Sequence, residues 1–254
     1  MEARDQNGMT ETQFLRQYDP DRYEKPAVTV DMLIFTVNPK RNYSLELLMI
    51  ERGGHPYLGK WALPGGFVEM DESLEEAAAR ELKEETDLSD IYMEQLFTFG
   101  DVNRDPRMRV ISVAYMALVP KEKLHPVAGD DAANVRWFTI KTQEDGSLLL
   151  LANGVTLTEE SIAFDHEKVI KTALQRMRNK VEYTDIAFEL AGEKFTLTQL
   201  QSVYEAILGR ELHKPNFRRS IADRVEKTGE KETQSLHRPS CLYRKKGGER
   251  EHRF

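Results

Sequence analysis

The stretch from Gly65 to Leu88 reads GGFVEMDESLEEAAARELKEETDL, and the fold is decided within it. Ser73 followed by Glu76 is a capping box, and the Ala, Leu, Glu and Lys after it have high helix propensity. The pair predicts a helix from Ser73 to about Thr86. At about 100° per residue, Leu74, Ala78 and Leu82 form one apolar stripe. Glu81, Glu84 and Glu85 lie beside it and partly overlap it. Carboxylates at i, i+3 and i+4 repel one another, and two of these turn toward the half-buried side, where an uncompensated anion is costly. A cation is therefore expected there. Mg²⁺ or Mn²⁺ suits such oxygen donors, whereas a generic Glu-rich helix would only present a solvated acidic face.

The spacing carries the reading further. Gly66, five residues, Glu72, seven residues, then Arg80-Glu81-Leu82-Lys83-Glu84-Glu85-Thr86-Asp87-Leu88 resembles the Nudix box. The resemblance implies that Glu81, Glu84 and Glu85 are catalytic metal ligands, with Gly66 also at the metal. It makes Glu72 the first box glutamate and Arg80 its ion-pairing partner. Asp87 stands where the family usually has a helix-ending glycine, and Asp enters the left-handed region more readily than most residues but less readily than Gly.

The composition, 254 residues with 40% hydrophobic and 31% charged, is that of a globular protein of one large or two medium domains. No apolar run approaches membrane-spanning length, and residues 1–20 carry no secretory pattern, so a cytoplasmic location with no membrane partner is expected. The single cysteine, Cys241, excludes an internal disulfide and is read as incidental. The formal net charge of −7 divides into −10 for residues 1–182 and +3 for 183–254. The basic second part is the part expected to meet nucleic acid.

AVTVDMLIFTV from Ala27 to Val37 and the run Leu45 to Arg52 read as central strands. Gly53 to Gly66 reads as a loop with one short strand at Trp61-Ala62-Leu63. Further strands are expected at Glu94–Val102, Arg109–Pro120 and Val135–Thr139, and an Asn153-Gly154 hairpin within 143–158. Ile170, Ala173, Leu174 and Met177 mark a helix that closes the first domain. The second domain opens at Asp185–Leu190, followed by a short strand at Lys194–Leu197. Next comes a helix capped by Thr198 and Gln201, with Leu200, Val203, Tyr204, Ile207 and Leu208 on its apolar face and Gly209 as its stop. Pro215 opens another helix, whose core stripe Phe217, Ile221 and Val225 extends it to about Glu226. Two helices across a tight turn form a helix-turn-helix, and Thr228 to Lys246 supplies a wing.

Asn216-Phe217-Arg218-Arg219, the Phe195 to Gln201 run, Val203-Tyr204-Glu205 and Asp165-His166 resemble Nudix-related transcriptional regulators with a C-terminal winged helix. The implied architecture is α+β, a Nudix α/β/α sandwich joined to a winged helix-turn-helix. The division is an N-terminal arm at 1–26, a Nudix domain with its closing helix at 27–182, a winged helix at 183–246 and a frayed tail at 247–254. The intact glutamates imply a Mg²⁺- or Mn²⁺-dependent pyrophosphohydrolase acting on ADP-ribose or a related nucleoside diphosphate derivative. The alternative is an ADP-ribose-sensing regulator of NAD or sugar metabolism that binds duplex DNA as a homodimer. Arg104, Arg107 and Arg109, in the charged loop Gly100 to Arg109, are the candidate substrate-binding residues, because guanidinium groups match phosphate oxygens. The bland reading of that loop is a solvated turn. Asn216, Arg218 and Arg219 are the candidate DNA contacts. His55 is read as exposed, His166 as a structural histidine, and Trp61 and Trp137-Phe138 as core or sheet aromatics.

Overall fold

The computed structural model describes residues 2–124, 135–143, 145–232 and 239–247. Its centre is β1 (Ala27–Asn38), whose last nine residues are all buried. β1 pairs in parallel with β6 (Val110–Leu118) and antiparallel with β2 (Ser44–Glu51) and the short β4 (Gly65–Phe67). β3 (Trp61–Ala62) pairs with β2. The sheet extends through β5 (Tyr92–Phe99) at one edge, and through β7 (Val135–Thr142), β8 (Leu148–Ala152) and β9 (Val155–Leu157) toward the other, in the order β5-β6-β1-β2-β7-β8-β9. The β8–β9 hairpin turns through Asn153 and Gly154, both at positive φ.

Side-chain alternation gives β1 two cores. Val30, Met32 and Ile34 face one cluster with Ala77, Ala78 and Leu82 of α2 (Leu74–Thr86). Leu33, Phe35 and Val37 face the other, which holds Val169, Ile170, Ala173, Leu174 and Met177 of α3 (His166–Lys180). The sheet is thus sandwiched between α2 and α3. The second cluster continues without a break into Leu200, Val203, Ile207 and Phe217 of the C-terminal module, so that module packs directly on the sheet's α3 side.

The C-terminal module consists of α4 (Ile186–Ala191), α5 (Leu197–Leu208), α6 (Lys214–Ile221) and a two-stranded wing, β10 (Val225–Lys231) with β11 (Cys241–Lys245). Four expectations need correction. Residues 186–191, read only as the opening of the domain, are a helix. The strand expected at Lys194–Leu197 shrinks to one bridge between Phe195 and Tyr243. The α5 capping box is Thr196 with Gln199, whose side chains bond each other's backbone N–H at 3.1 and 2.7 Å. Gln201 instead donates to Glu205 and to the Leu212 carbonyl. Finally, α6 stops at Ile221, and Val225 is buried as the first residue of β10 rather than as a third turn of helix.

In the first half, β5 begins before and ends before the expected Glu94–Val102, β6 lies within the expected Arg109–Pro120, and β7 runs on past the expected end at Thr139. The arm at 1–26 carries a helix, α1 (Glu11–Gln17), capped by Thr10 and Gln13, that buries no residue. No helix among the described residues is long and apolar enough to cross a membrane. The expected fraying falls almost wholly on residues 248–254, outside the described residues.

Candidate functional site

The predicted box helix forms as expected at its start, with Ser73 Oγ accepting from Glu76 N–H and Glu76 Oε2 accepting from Ser73 N–H at 2.7 Å. At its end Asp87 takes the left-handed conformation, φ 55°, and donates its N–H to Lys83 O. Arg80 lies along the carboxylates. Its guanidinium grips Glu72 with two bonds, 3.1 Å to Oε2 and 2.8 Å to Oε1, and reaches Glu81 at 2.7 Å, Glu84 at 3.5 Å and the Phe67 carbonyl. The cationic partner demanded by the crowded glutamates is therefore, in this structure, partly Arg80. These pairings hold the Arg80 guanidinium above its ordinary range. Glu72 is held below its own range by Arg80 and by the Glu69 N–H.

Glu81 and Glu85 behave differently. Burial pushes the Glu81 carboxyl up despite Arg80, and burial followed by the charges of Glu81 and Glu84 pushes Glu85 up. A bound cation would relieve both costs. Gly66 makes room for this arrangement, since a Cβ there would collide with Glu81 Oε1. The oxygen donor set and the glycine cradle suit a hard divalent ion. Among the described residues, however, no three His, Cys, Asp or Glu side chains converge closely enough to share one ion.

Beside Gly66 opens a cleft of about 160 Å³, lined by residues of β1, the β3–β4 segment, the loop at 104–107 and the start of α3. Among its lining residues are Asp31, Arg52, Phe67, Arg104, Arg107, Phe164 and His166. Arg104, a candidate substrate-binding residue, is buried and already engaged. Its side chain is 4% exposed, binds Asp165 twice at 3.1 and 2.7 Å, and binds Asp31 at 3.0 Å. Burial alone would lower its pKa, but Asp165 and Asp31 outweigh that and hold it raised. Ser112 donates to Asp31 Oδ2 at 2.5 Å. Arg107 pairs with Asp105 at the cleft rim and lies over the rings of Phe67 and Phe164, at 5.6 and 6.0 Å. Arg52 covers Phe164 at 4.9 Å. Arg109 bonds the carbonyls of Asp101 and Val110 and does not line the cleft.

His166, read as structural, is buried and also lines the cleft. Its Nδ1 accepts the Leu63 N–H at 2.9 Å, and burial lowers its pKa despite the nearby Asp31. His55 is exposed, and Trp61 and Phe138 pack edge to face in the core. The reading missed Asp31, Ser112, Arg52 and Phe164. Asp31 had a usable signal, being a lone charge in the middle of the most apolar strand.

In the C-terminal module Phe217 and Ile221 turn α6 into the core, with Phe217 edge-on to Tyr204. Asn216, Arg218 and Arg219 remain on its exposed side. Neither arginine makes an ion pair among the described residues. Glu205, which would dilute their field, is engaged in the turn, accepting from Leu212 N–H at 2.8 Å and from Gln201. Arg224 fastens the module to its approach segment through Asp185, Tyr204 and the Thr184 carbonyl. The wing carries Lys227 and Lys231, while its Arg244 is paired with Glu226 and its Lys245 with Asp185.

Two family models match this arrangement. The NUDIX domain model covers residues 25–149, and the NrtR DNA-binding winged helix domain model covers 187–244. The chain is 36% identical over 242 residues to the ADPR responsive transcriptional repressor NtrR of Acinetobacter baylyi, covering 94% of this chain and 89% of that protein. It is 38% identical over 149 residues to the ADP-ribose pyrophosphatase of Methanocaldococcus jannaschii, covering 59% of this chain and 73% of the enzyme. The crystal structure of Shewanella oneidensis NrtR complexed with a 27mer DNA superposes with a TM-score of 0.68 at 33% identity, covering 86% of this chain and 93% of that one. The similarity to the repressor spans both halves, whereas the similarity to the enzyme spans about three-fifths of the chain. With a Nudix domain followed by an NrtR winged-helix DNA-binding domain, the chain belongs to the NrtR family.

Proposed function

We propose that the chain is a DNA-binding transcriptional regulator that senses ADP-ribose, with the Nudix half, 27–182, taking the nucleotide and the winged helix, 183–246, taking duplex DNA. The observation that carries this reading is the exposed face of α6. Asn216, Arg218 and Arg219 stand on the second helix of a helix-turn-helix whose other face is locked by Phe217 and Ile221. A helix so placed presents base-edge and phosphate contacts to a major groove, and a homodimer would set two such helices on a two-fold operator. The shared core between the α3 side of the sheet and α5 gives the two halves a physical route for coupling. Anisotropy titrations of the intact chain on its own upstream region and on promoters of NAD or sugar metabolism, against random duplex, test the DNA arm. Replacing Arg218 and Arg219 with Ala should weaken binding and flatten its salt dependence by about one unit of slope per lost phosphate contact. Affinity equal to that for random duplex would refute it.

A second reading, a Nudix pyrophosphohydrolase of ADP-ribose or a related compound, is favoured by the retained glutamates and by the pyrophosphatase relative. Glu81, Glu84 and Glu85, with Gly66 beside Glu81, would have to draw together to hold Mg²⁺ or Mn²⁺. The ion would neutralise diphosphate charge and make water more acidic. The Arg80–Glu72 pair holds the preceding loop in place, and the guanidinium of Arg107 at the rim would orient phosphate oxygens. Release of AMP from ADP-ribose, lost in Glu85→Gln, would establish this activity. No turnover across a panel of nucleoside diphosphate derivatives would leave the sensor alone.

A further inference from the structure

We infer that Asp31 and His166, on the floor of the cleft, form a hydroxyl-reading pair that selects the sugar end of the ligand. This rests on the proposal that the cleft takes ADP-ribose, and it adds which end enters and what recognises it. Because His166 Nδ1 accepts the Leu63 N–H, the imidazole proton sits on Nε2. That Nε2 lies 3.7 Å from Asp31 Oδ1, too far for a direct hydrogen bond. Asp31 Oδ2 is taken by Ser112 and Arg104, whereas Oδ1 accepts no hydrogen bond among the described residues. A donor and an acceptor thus stand apart in one buried corner, 4% and 6% exposed, and both residues line the cleft. A hydroxyl satisfies both at once, accepting from Nε2–H and donating to Oδ1, whereas a phosphate oxygen can only accept.

Charge argues the same way. Two carboxylates, Asp31 and Asp165, share one guanidinium, Arg104, and the imidazole is held neutral by burial, so the floor carries a net negative charge that repels phosphate. Positive charge lies nearer the rim: Arg52 makes no ion pair among the described residues and bonds the Pro56 carbonyl, while Arg107 is paired with Asp105. Size agrees too: about 160 Å³ is well under the roughly 300–1,000 Å³ of a pocket enclosing a whole small ligand, so the cleft admits one end of it. The terminal ribose of ADP-ribose, rich in hydroxyls and uncharged, is the end that fits.

The test measures ADP-ribose and ADP, which lacks that ribose, by calorimetry on the intact chain and on His166→Asn. Asn keeps an amide oxygen where Nδ1 accepts the Leu63 N–H and removes Nε2. The variant should bind ADP-ribose about tenfold more weakly and ADP within about twofold of wild type, since only the sugar meets the deleted donor. Equal losses for both nucleotides, as a bridging water or a general distortion would give, overturn the inference. So does an unchanged ADP-ribose affinity. Should the variant not fold, the wild type still decides: ADP-ribose must bind at least about tenfold tighter than ADP, and equal affinities refute the pair's role. Failure of wild type to bind either nucleotide would sink the ligand assignment itself, and the inference with it.

Discussion

Replacing Arg104 with Met should destabilise the protein far more than the same change at Arg107, although both arginines sit in one loop and both pair with aspartates. Arg104 is 4% exposed at its side chain, and its partners Asp31 and Asp165 are 9% and 16% exposed. Removing it strands two carboxylates with little water to take its place, a loss of about 3–5 kcal/mol for a broken buried pair. Arg107 is 44% exposed; its partner Asp105 is only 5% exposed, but it keeps the Arg107 backbone N–H and water can enter where the exposed guanidinium leaves, so the loss should cost about 1 kcal/mol. At roughly 2–4 °C per kcal/mol for a chain of this size, the melting temperature should fall about 6–20 °C in Arg104→Met and by no more than about 4 °C in Arg107→Met. Urea denaturation followed by far-UV circular dichroism gives the free energies, and a thermal scan gives the midpoints. Equal, sub-kilocalorie effects would mean that the buried cluster is solvated or rearranged, and the description of the cleft floor would be wrong.

Three other outcomes are expected. Asp87→Gly should stabilise the helix end by up to about 1 kcal/mol, since φ 55° strains any residue with a Cβ, and should leave ligand affinity within about twofold; a large change in affinity would mean Asp87 contacts the site. At Asp185, burial pushes the carboxyl up, but hydrogen bonds from Arg224 and Lys245 outweigh it and hold the carboxyl below the ordinary aspartate range. A depressed carboxyl stabilises the fold above the unfolded pKa, and the benefit disappears as pH falls through the folded one; Asp185→Asn should therefore be less stable than wild type at pH 7 and indistinguishable from it in strong acid, and a penalty independent of pH would contradict the pairing. Gly66→Ala should displace the Glu81 carboxylate and weaken Mn²⁺ binding roughly tenfold or more in a paramagnetic titration, and unchanged affinity would remove Glu81 from the metal set.

What could be read in the sequence was mostly local. The box helix declared itself through Ser73 and Glu76, which bond each other across one turn, and α6 through Pro215 and the Phe217–Ile221 stripe. Where two local solutions compete, spacing alone does not choose. Thr196–Gln199 and Thr198–Gln201 satisfy the same capping pattern, and the outcome depends on Phe195 pairing with Tyr243 far along the chain. Val225 fits a helical stripe as well as a strand start, and the wing decides it. The fate of Arg104 was illegible for the same reason, since its partners lie 73 residues before it and 61 after it. A charged loop looks solvated until the fold brings buried acids to it. The box resemblance drew attention to the carboxylates, and left the Asp31–His166 corner, built from three distant segments, unread.

A sensor links ligand occupancy in the cleft to DNA binding by the winged helix. Fluorescence anisotropy of the intact chain on its operator duplex, at fixed salt, with and without saturating ADP-ribose, should give DNA affinities that differ about 5–150-fold, matched by an equal shift in ADP-ribose affinity when DNA is present. DNA affinities within about twofold of each other, while calorimetry under the same conditions reports ADP-ribose bound, would contradict a sensing role.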